Sequence, residues 1–350
     1  MDQWFAIGLM SGTSLDGLDI CYSAFSQNPD SSWNFEILVT ETVSYPESWE
    51  HKLKTATSVS AADLLALNSE YGFYLGQQVA DFINRHKLQQ IDVIASHGHT
   101  VFHQPERKFT VQIGDGRAIK ILNNYPVVYD FRSNDVLLGG NGAPLVPIGD
   151  RFLFGEFDAC LNLGGFSNIS TEKDGKRIAF DICPVNIVLN HHAKKLGKKY
   201  DKGGKIAQTG EIDAAVLRQL NDLRFYSQQG PKSLGTEWLE KEVDPLLSGI
   251  APETALATFT EHAAEKIADE FKRLKLRNVL VTGGGAYNDL LISKISEKSH
   301  TEIIIPESSI IEYKEALIFA FMGILRINNI NNVLSSATGS SHDHCSGLLV

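Results

Sequence analysis

Cysteine is scarce and scattered: four in 350 residues, at Cys21, Cys160, Cys183 and Cys345, with no Cys-x-x-Cys pair. That spacing excludes a disulfide framework and a zinc ribbon, so reduced thiols in a cytoplasmic setting are expected. Positive charge is in deficit, with 32 Lys and Arg against 42 Asp and Glu and a net charge of −10. Such a balance gives no electrostatic footprint for DNA or RNA, and nucleic acid is not expected as a partner. Long apolar runs are missing too. Residues 317–325 form the most apolar stretch of interest, far short of the roughly 20 needed to span a bilayer, and read as a buried helix. The start, Met1-Asp2-Gln3-Trp4, has no basic n-region, so export is not expected.

What is present fits an α/β enzyme. A chain of 350 residues exceeds the size at which one core usually keeps growing, which predicts two lobes with a cleft between them, here drawn as 1–150 and 151–350. Alternation over 20–25 and 35–44 predicts two antiparallel strands behind an opening apolar one. Ser60 with Asp63 resembles a capping pair, and Leu64, Leu67, Tyr71, Leu75, Val79 and Phe82 then recur at helical spacing. A longer helix is expected over 252–274, with Leu256, Phe259, Ala263, Ile267 and Phe271 on one face. A last apolar helix covers 315–327, and the tail His342-Asp343-His344-Cys345 is expected to be disordered.

Three strand-to-glycine turns carry the chemistry. The first runs Gly8-Leu9-Met10-Ser11-Gly12-Thr13-Ser14-Leu15-Asp16-Gly17-Leu18-Asp19. It contains neither a Walker A nor a Rossmann fingerprint. Small residues still let backbone N–H groups approach an anion, and Gly12, Thr13, Ser14 and Gly17 suit a phosphate contact as well as they suit a tight hairpin. Asp16 and Asp19 could hold a divalent cation, Asp16 being the better placed and Asp19 the structural one. The second turn is Gly164-Gly165 and the third Gly283-Gly284-Gly285, each behind an apolar strand. Recurrence of the first two in corresponding places suggests duplicated lobes. The third leaves room for a flat ring or a phosphate.

Polar side chains gather at other strand ends. His97, His99 and His103 follow the strand ending at Ser96; hydrogen bonding to substrate or to a loop suits them better than a metal, since no Cys cluster or metalloprotease Glu accompanies them. Arg132 and Asp135 precede the loop Gly139-Gly140-Asn141-Gly142, and fit either a sugar's polar groups or a local ion pair. Asp181 ends the apolar strand 178–182, where it can act as a general base or cap the helix that Pro184 is expected to start. The basic, Gly-bearing segment 194–205 reads as a solvated face.

Taken in order, these pieces resemble the anhydro-N-acetylmuramic acid kinases, within the sugar-kinase, Hsp70 and actin superfamily. The matching stretches are 8–19, Ser-His-Gly-His-Thr-Val-Phe-His (96–103), Asp-Phe-Arg-Ser-Asn-Asp (130–135), Gly-Gly-Asn-Gly-Ala-Pro-Leu-Val-Pro (139–147) and Asn-Leu-Gly-Gly-Phe-Ser-Asn-Ile (162–169). Phe-Asp-Ile-Cys-Pro-Val-Asn (180–186), Pro-Lys-Ser-Leu-Gly-Thr-Glu (231–237) and Gly-Gly-Gly-Ala-Tyr-Asn (283–288) complete them. The resemblance implies a two-lobed actin-like, ribonuclease H-like ATPase fold, each lobe a mixed sheet flanked by helices, with the C-terminal helix packing back on the first lobe. It implies ATP and Mg2+ as cofactors, with Asp16 at the metal. It implies phosphorylation of 1,6-anhydro-N-acetylmuramic acid while water opens the anhydro ring, giving N-acetylmuramic acid 6-phosphate in peptidoglycan recycling. By position, Asp181 matches the base, Gly12 to Asp19 the first phosphate loop and Gly283 to Gly285 the adenosine-side turn. Arg132, Asp135 and Glu315 match positions near the sugar, where His97 is also expected. The family's usual glycines beside the base are Cys183 and Val185 here, and its usual glutamines are His99 and Asn141. The alternatives are a kinase for another amino or anhydro sugar, or a nucleotide-binding protein without catalysis. An amino sugar and ATP are the expected partners, with no membrane and a homodimer left open.

Overall fold

The computed structural model describes residues 3–12, 15, 17–228 and 232–350. It resolves into two compact units, residues 1–153 with 313–350, and residues 154–312. In the first unit, β1 (Gln3–Ser11), β2 (Leu18–Gln27) and β3 (Trp33–Val43) form an antiparallel meander. On the other side of β1, β4 (Val93–Ser96) and β7 (Val127–Tyr129) add in parallel, and β13 (Leu348–Leu349) closes the edge antiparallel to β7. A hairpin of β5 (His99–Gln104) and β6 (Phe109–Ile113) stands apart from this sheet.

The second unit repeats the plan. β8 (Ala159–Leu163), β9 (Phe166–Lys173) and β10 (Lys176–Pro184) form the antiparallel meander, and β11 (Asn278–Thr282) and β12 (Glu302–Ile304) join β8 in parallel. The sheet orders β3-β2-β1-β4-β7 and β10-β9-β8-β11-β12 correspond strand for strand. This duplicated meander with a parallel extension is the ribonuclease H-like plan that the resemblance implies.

Helices cover the sheets where the apolar spacing places them. α1 (Ala61–His86) begins at Ser60, whose hydroxyl accepts from the Asp63 N–H at 3.2 Å and donates to the Asp63 carboxylate at 2.6 Å. Its Tyr71, Leu75, Val79 and Phe82 pack with Ile7 and Leu9, one face of β1. Side chains alternate along a strand, so Gly8 points the opposite way. In the second unit, α2 (Asn186–Lys195) follows β10, and α3 (Pro252–Leu274) buries Leu256, Phe259, Ala263, Ile267 and Phe271 against Leu161 and Val281. Truncating either phenylalanine to alanine would cost about 3–5 kcal/mol. α4 (Ser308–Ile327) lies on the Gly8 side of the first sheet. A Cβ at Gly8 would stand 1.8 Å from the Ala316 carbonyl oxygen, so only glycine admits this helix so close to β1.

Two expectations are corrected. Pro184 is the last residue of β10 rather than a helix start; α2 opens at Asn186. The C-terminal tail is ordered: Ser346 donates to the Phe131 carbonyl at 2.7 Å, Val350 and Val127 exchange backbone bonds at 3.0 Å, and His344 is buried. Buried polar partners supply what the polar composition of the tail does not advertise. Among the described residues, none of the cysteines is in a disulfide. No described helix is long and apolar enough to cross a membrane.

Candidate active site

Within the second unit, two of the glycine turns meet. A Cβ on Gly283, which has φ +80°, would stand 2.4 Å from Asn162 Oδ1, and one on Gly285 would stand 2.6 Å from Leu163 Cβ. The Gly283–Gly285 turn therefore rests on the end of β8, immediately before Gly164. Asn186 at the start of α2 ties the two together: its side-chain amide donates to the Leu163 carbonyl at 2.9 Å, while its backbone N–H donates to the Gly164 carbonyl at 3.2 Å. The segment 202–204, expected as a solvated face, is also drawn in. Gly204, at φ +73°, lies against Asn288 and Leu290 just beyond the triple glycine.

Asp181 stands on the same sheet. Antiparallel register aligns Asn162 with Asn168 and Asn168 with Asp181, so three polar side chains form one row across β8, β9 and β10. The ladder between β9 and β10 shifts register between Asp181 and Cys183, an irregularity of the kind that re-aims a side chain. The loop after residue 231 holds the residue in place. The Asp181 N–H donates to the Lys232 carbonyl at 2.9 Å, and the Leu234 N–H donates to Asp181 Oδ2 at 2.8 Å. Burial raises the carboxyl above the usual carboxylate range, and the Leu234 N–H opposes that shift. A half-buried carboxylate with one oxygen anchored by a backbone donor can take a proton on the other. Cys183 and Val185 are fully buried in the core of this unit, with the Cys183 thiol 3.3 Å from the Ser167 hydroxyl. Their extra volume goes inward.

The first unit carries the second group. Arg132 Nε donates to His97 Nε2 at 2.9 Å, and an imidazole nitrogen that accepts carries no proton. His97 Nδ1 is therefore protonated and donates to the Gly98 carbonyl at 2.9 Å. Burial, then the Arg132 charge, push His97 well below the ordinary histidine range, which keeps it neutral. Both ring nitrogens are occupied and the residue is 3 % exposed, so His97, expected among substrate contacts, instead holds the guanidinium. Arg132 Nη1 donates to the Gly142 carbonyl at 2.9 Å.

Asp135 grips the same peptide from its other end. The Gly142 N–H donates to Asp135 Oδ2 at 2.7 Å, and Thr338 Oγ1 donates to Oδ1 at 2.7 Å. Gly140 leaves the room this requires, since a Cβ there would be 2.2 Å from Asp135 Oδ2. Asp135 has no exposed surface. With both oxygens bound to protein, it orders the glycine loop and does not face a ligand. Arg132 and Asp135 thus share Gly142 as a partner, Arg132 at its carbonyl and Asp135 at its N–H. Glu315 is exposed on α4. The surrounding protein raises its carboxyl, with Arg132 opposing and Asp19 reinforcing the shift. Burial lowers the Arg132 guanidinium in turn, against the pull of Glu315 and Asp135.

The first glycine turn enters only at its edges. Thr13, Ser14 and Asp16 lie outside the described residues. Gly12 accepts from the Leu15 N–H at 3.3 Å, and Gly17 lies flush on β3, where a Cβ would be 2.8 Å from the Val43 carbonyl oxygen. Asp19 accepts from Thr42 Oγ1 at 2.6 Å. Behind the turn, Ser11 Oγ accepts from Tyr45 at 2.8 Å and lies 3.2 Å from His99 Nδ1, while the Tyr45 and Tyr71 hydroxyls are 2.7 Å apart. Sequence reasoning missed Tyr45 and Tyr71 in this role; Tyr71 read only as one member of a helix stripe. Asn162 and Asn168 were open to it, because a hairpin with so short a turn pairs them automatically.

The family model for anhydro-N-acetylmuramic acid kinase matches residues 4–350. The chain belongs to the anhydro-N-acetylmuramic acid kinase family. A kinase of that name from Mannheimia succiniciproducens is 32% identical, covering 100% of this chain and 99% of its own length. The family member from Pseudomonas syringae pv. syringae is 34% identical, covering 97% of this chain and 96% of its own. Among solved structures, the (R)-2-hydroxyglutaryl-CoA dehydratase component A of Acidaminococcus fermentans is similar at 13% identity and a TM-score of 0.48, covering 91% of this chain and 97% of its own.

Proposed function

We propose that this protein uses ATP to phosphorylate the 6-oxygen of 1,6-anhydro-N-acetylmuramic acid while water opens the anhydro ring, as a cytoplasmic step of peptidoglycan recycling. Asp181 is the observation that carries the reading. Water attacks C1 of the sugar, the bond from C1 to the bridging oxygen breaks, and that oxygen takes the γ-phosphoryl group as ADP leaves. The water's proton goes to Asp181. A non-catalytic nucleotide-binding protein would need no carboxylate anchored by a bulge on one side and the Leu234 N–H on the other.

Arg132 and Glu315 make the polar contacts to the sugar, with His97 and Asp135 as positioning residues behind them. The inward packing of Cys183 and Val185 fits the family's substrate, because both side chains lie in the core. Gly164 and Gly165 take the phosphates and Gly283 to Gly285 the adenosine side. Phosphoryl transfer asks an enzyme mainly for positioning and charge stabilisation, and backbone donors at bare glycines suit that task. Mg2+ enters as MgATP, the substrate complex, with Asp16 as its contact. Among the described residues, no group of three or more His, Cys, Asp or Glu gathers to hold a metal.

Incubating the protein with MgATP and candidate sugars, and following ADP release and product mass, tests the reading. Isotope-labelled water should leave its oxygen on C1 of the product and none in the phosphate. ADP release with another sugar but not with anhydro-muramic acid would overturn the assignment.

A further inference from the structure

The triple-glycine turn continues into a side chain that no role above uses. Gly284–Tyr287 is one turn of 3₁₀ helix. Residues three apart eclipse one another in a 3₁₀ helix, so Gly284 and Tyr287 stand side by side on one face. Gly284 is exposed, and a Cβ built there would find only the Asn186 amide nitrogen within 4 Å, at 3.7 Å. Its surface is bare backbone. Tyr287 beside it is 47% exposed, a large fraction for an aromatic ring.

That ring is held nonetheless. The Tyr287 hydroxyl donates to Glu312 Oε1 at 2.8 Å, and burial together with the Glu312 charge pushes the phenol up to about 12, so it stays protonated and the bond persists at neutral pH. The floor is fixed as well: the Gly283 N–H donates to the Ile311 carbonyl at 3.4 Å, and Gly285 packs on Leu163. An aromatic pinned at its tip and half exposed, next to a side-chain-free peptide surface, matches a flat aromatic ligand. A phosphate would gain nothing from the ring.

We propose that Tyr287 is the base-stacking residue of the nucleotide site, with the adenine lying on the bare surface of Gly284 against the Tyr287 ring. The assignment rests on the reading of Gly283 to Gly285 as the adenosine-side turn. Inorganic tripolyphosphate, which has the phosphate chain and no base, separates stacking from everything else.

The test is calorimetric titration of the full chain with MgATP and with magnesium tripolyphosphate. Tyr287→Ala is expected to weaken MgATP about 5- to 150-fold, the range for loss of one base–aromatic stack. Its affinity for tripolyphosphate should be unchanged. Tyr287→Phe keeps the ring and gives up only the tie to Glu312, so its loss should be smaller than that of the alanine variant. Wild-type affinity for MgATP in Tyr287→Ala overturns the proposal, as does an equal loss for both ligands, which would mean that the turn itself had been damaged. Sugar-dependent ADP release measured on the same samples keeps the two readings apart. A wild-type protein that binds ATP through Tyr287 yet phosphorylates no anhydro sugar retires the activity and leaves the stacking; one that binds neither ligand retires both.

Discussion

Replacing Asp181 with asparagine leaves the shape of the side chain and removes its basicity. In the native protein Oδ2 accepts the Leu234 N–H at 2.8 Å, and an asparagine can turn its amide oxygen to keep that bond. The amide nitrogen then stands where the free carboxylate oxygen was, a donor in place of the proton acceptor. Loss of a positioned base costs about 10²–10⁴ in rate, or about 3–5.5 kcal/mol of transition-state stabilisation at 1.36 kcal/mol per factor of ten. kcat for sugar-dependent ADP release should fall by that factor, with MgATP affinity by calorimetry unchanged, because the glycine turns are untouched.

Stability should move the other way. Burial raises the folded-state pKa of Asp181 above its value in the unfolded chain, with the Leu234 N–H partly offsetting the shift. A carboxyl raised on folding favours the protonated form in the native state. The stability it contributes is therefore present below the unfolded pKa and is lost as pH rises through the folded one. At neutral pH the ionised group destabilises the fold, and the neutral amide avoids that cost. Asp181→Asn should melt higher than wild type at pH 7, with the difference vanishing in acid. In wild type the acid limb of kcat/KM should lie above the ordinary aspartate range and should be absent from the residual activity of the variant. Near-native kcat in a correctly folded Asp181→Asn protein would falsify the base assignment.

Three other substitutions probe the first unit. Arg132→Lys loses the fork that serves His97 Nε2 and Gly142 at 2.9 Å each; at about 1.5–3 kcal/mol for a hydrogen bond from a charged donor, KM for the sugar should rise about 10- to 150-fold while KM for MgATP stays put, and an equal rise in both would argue against a sugar-side role. Thr338→Val leaves Asp135 Oδ1 without its 2.7 Å donor where the residue has no exposed surface; a loss of about 1–3 kcal/mol in urea unfolding is expected, and an unchanged midpoint would show that the bond carries no weight. Gly8→Ala drives a methyl group toward the Ala316 carbonyl, 1.8 Å from the ideal Cβ position; overpacking of about 1–3 kcal/mol should appear as a lower melting temperature, whereas wild-type melting would mean that α4 yields freely.

Elements that rest on local chemistry were legible in the chain. The stripe Leu256, Phe259, Ala263, Ile267 and Phe271 specifies α3 because helical spacing is a property of neighbours, and Ser60 announces α1 through a partner three residues away. Glycine turns are legible for the same reason, since absence of a side chain is written at its own position. Contacts across long separations were not. Asp135 and Thr338 are 203 residues apart, and nothing near either shows that one donates to the other; seen alone, Asp135 beside Arg132 suggests an ion pair or a sugar contact. His97 misled in the same way, because a histidine at a strand end looks available until Arg132, 35 residues on, takes its ring nitrogen.

Asp181 shows the limit most sharply. It could be picked out as a carboxylate ending an apolar strand, but a capping aspartate has the same local pattern. Two backbone features set its surroundings: the register shift beside Cys183 and the Leu234 N–H that takes one carboxylate oxygen. Neither is encoded by the identity of the residue that supplies it, because every residue except proline has an N–H. The same stretch holds Cys183 and Val185, whose side chains lie in the core. Asp181 is partly exposed while Cys183 and Val185 are fully buried, packed with Ser167 and the Phe180 side of the sheet. Two residues that in sequence stand beside the carboxylate lie, in three dimensions, in the core behind it.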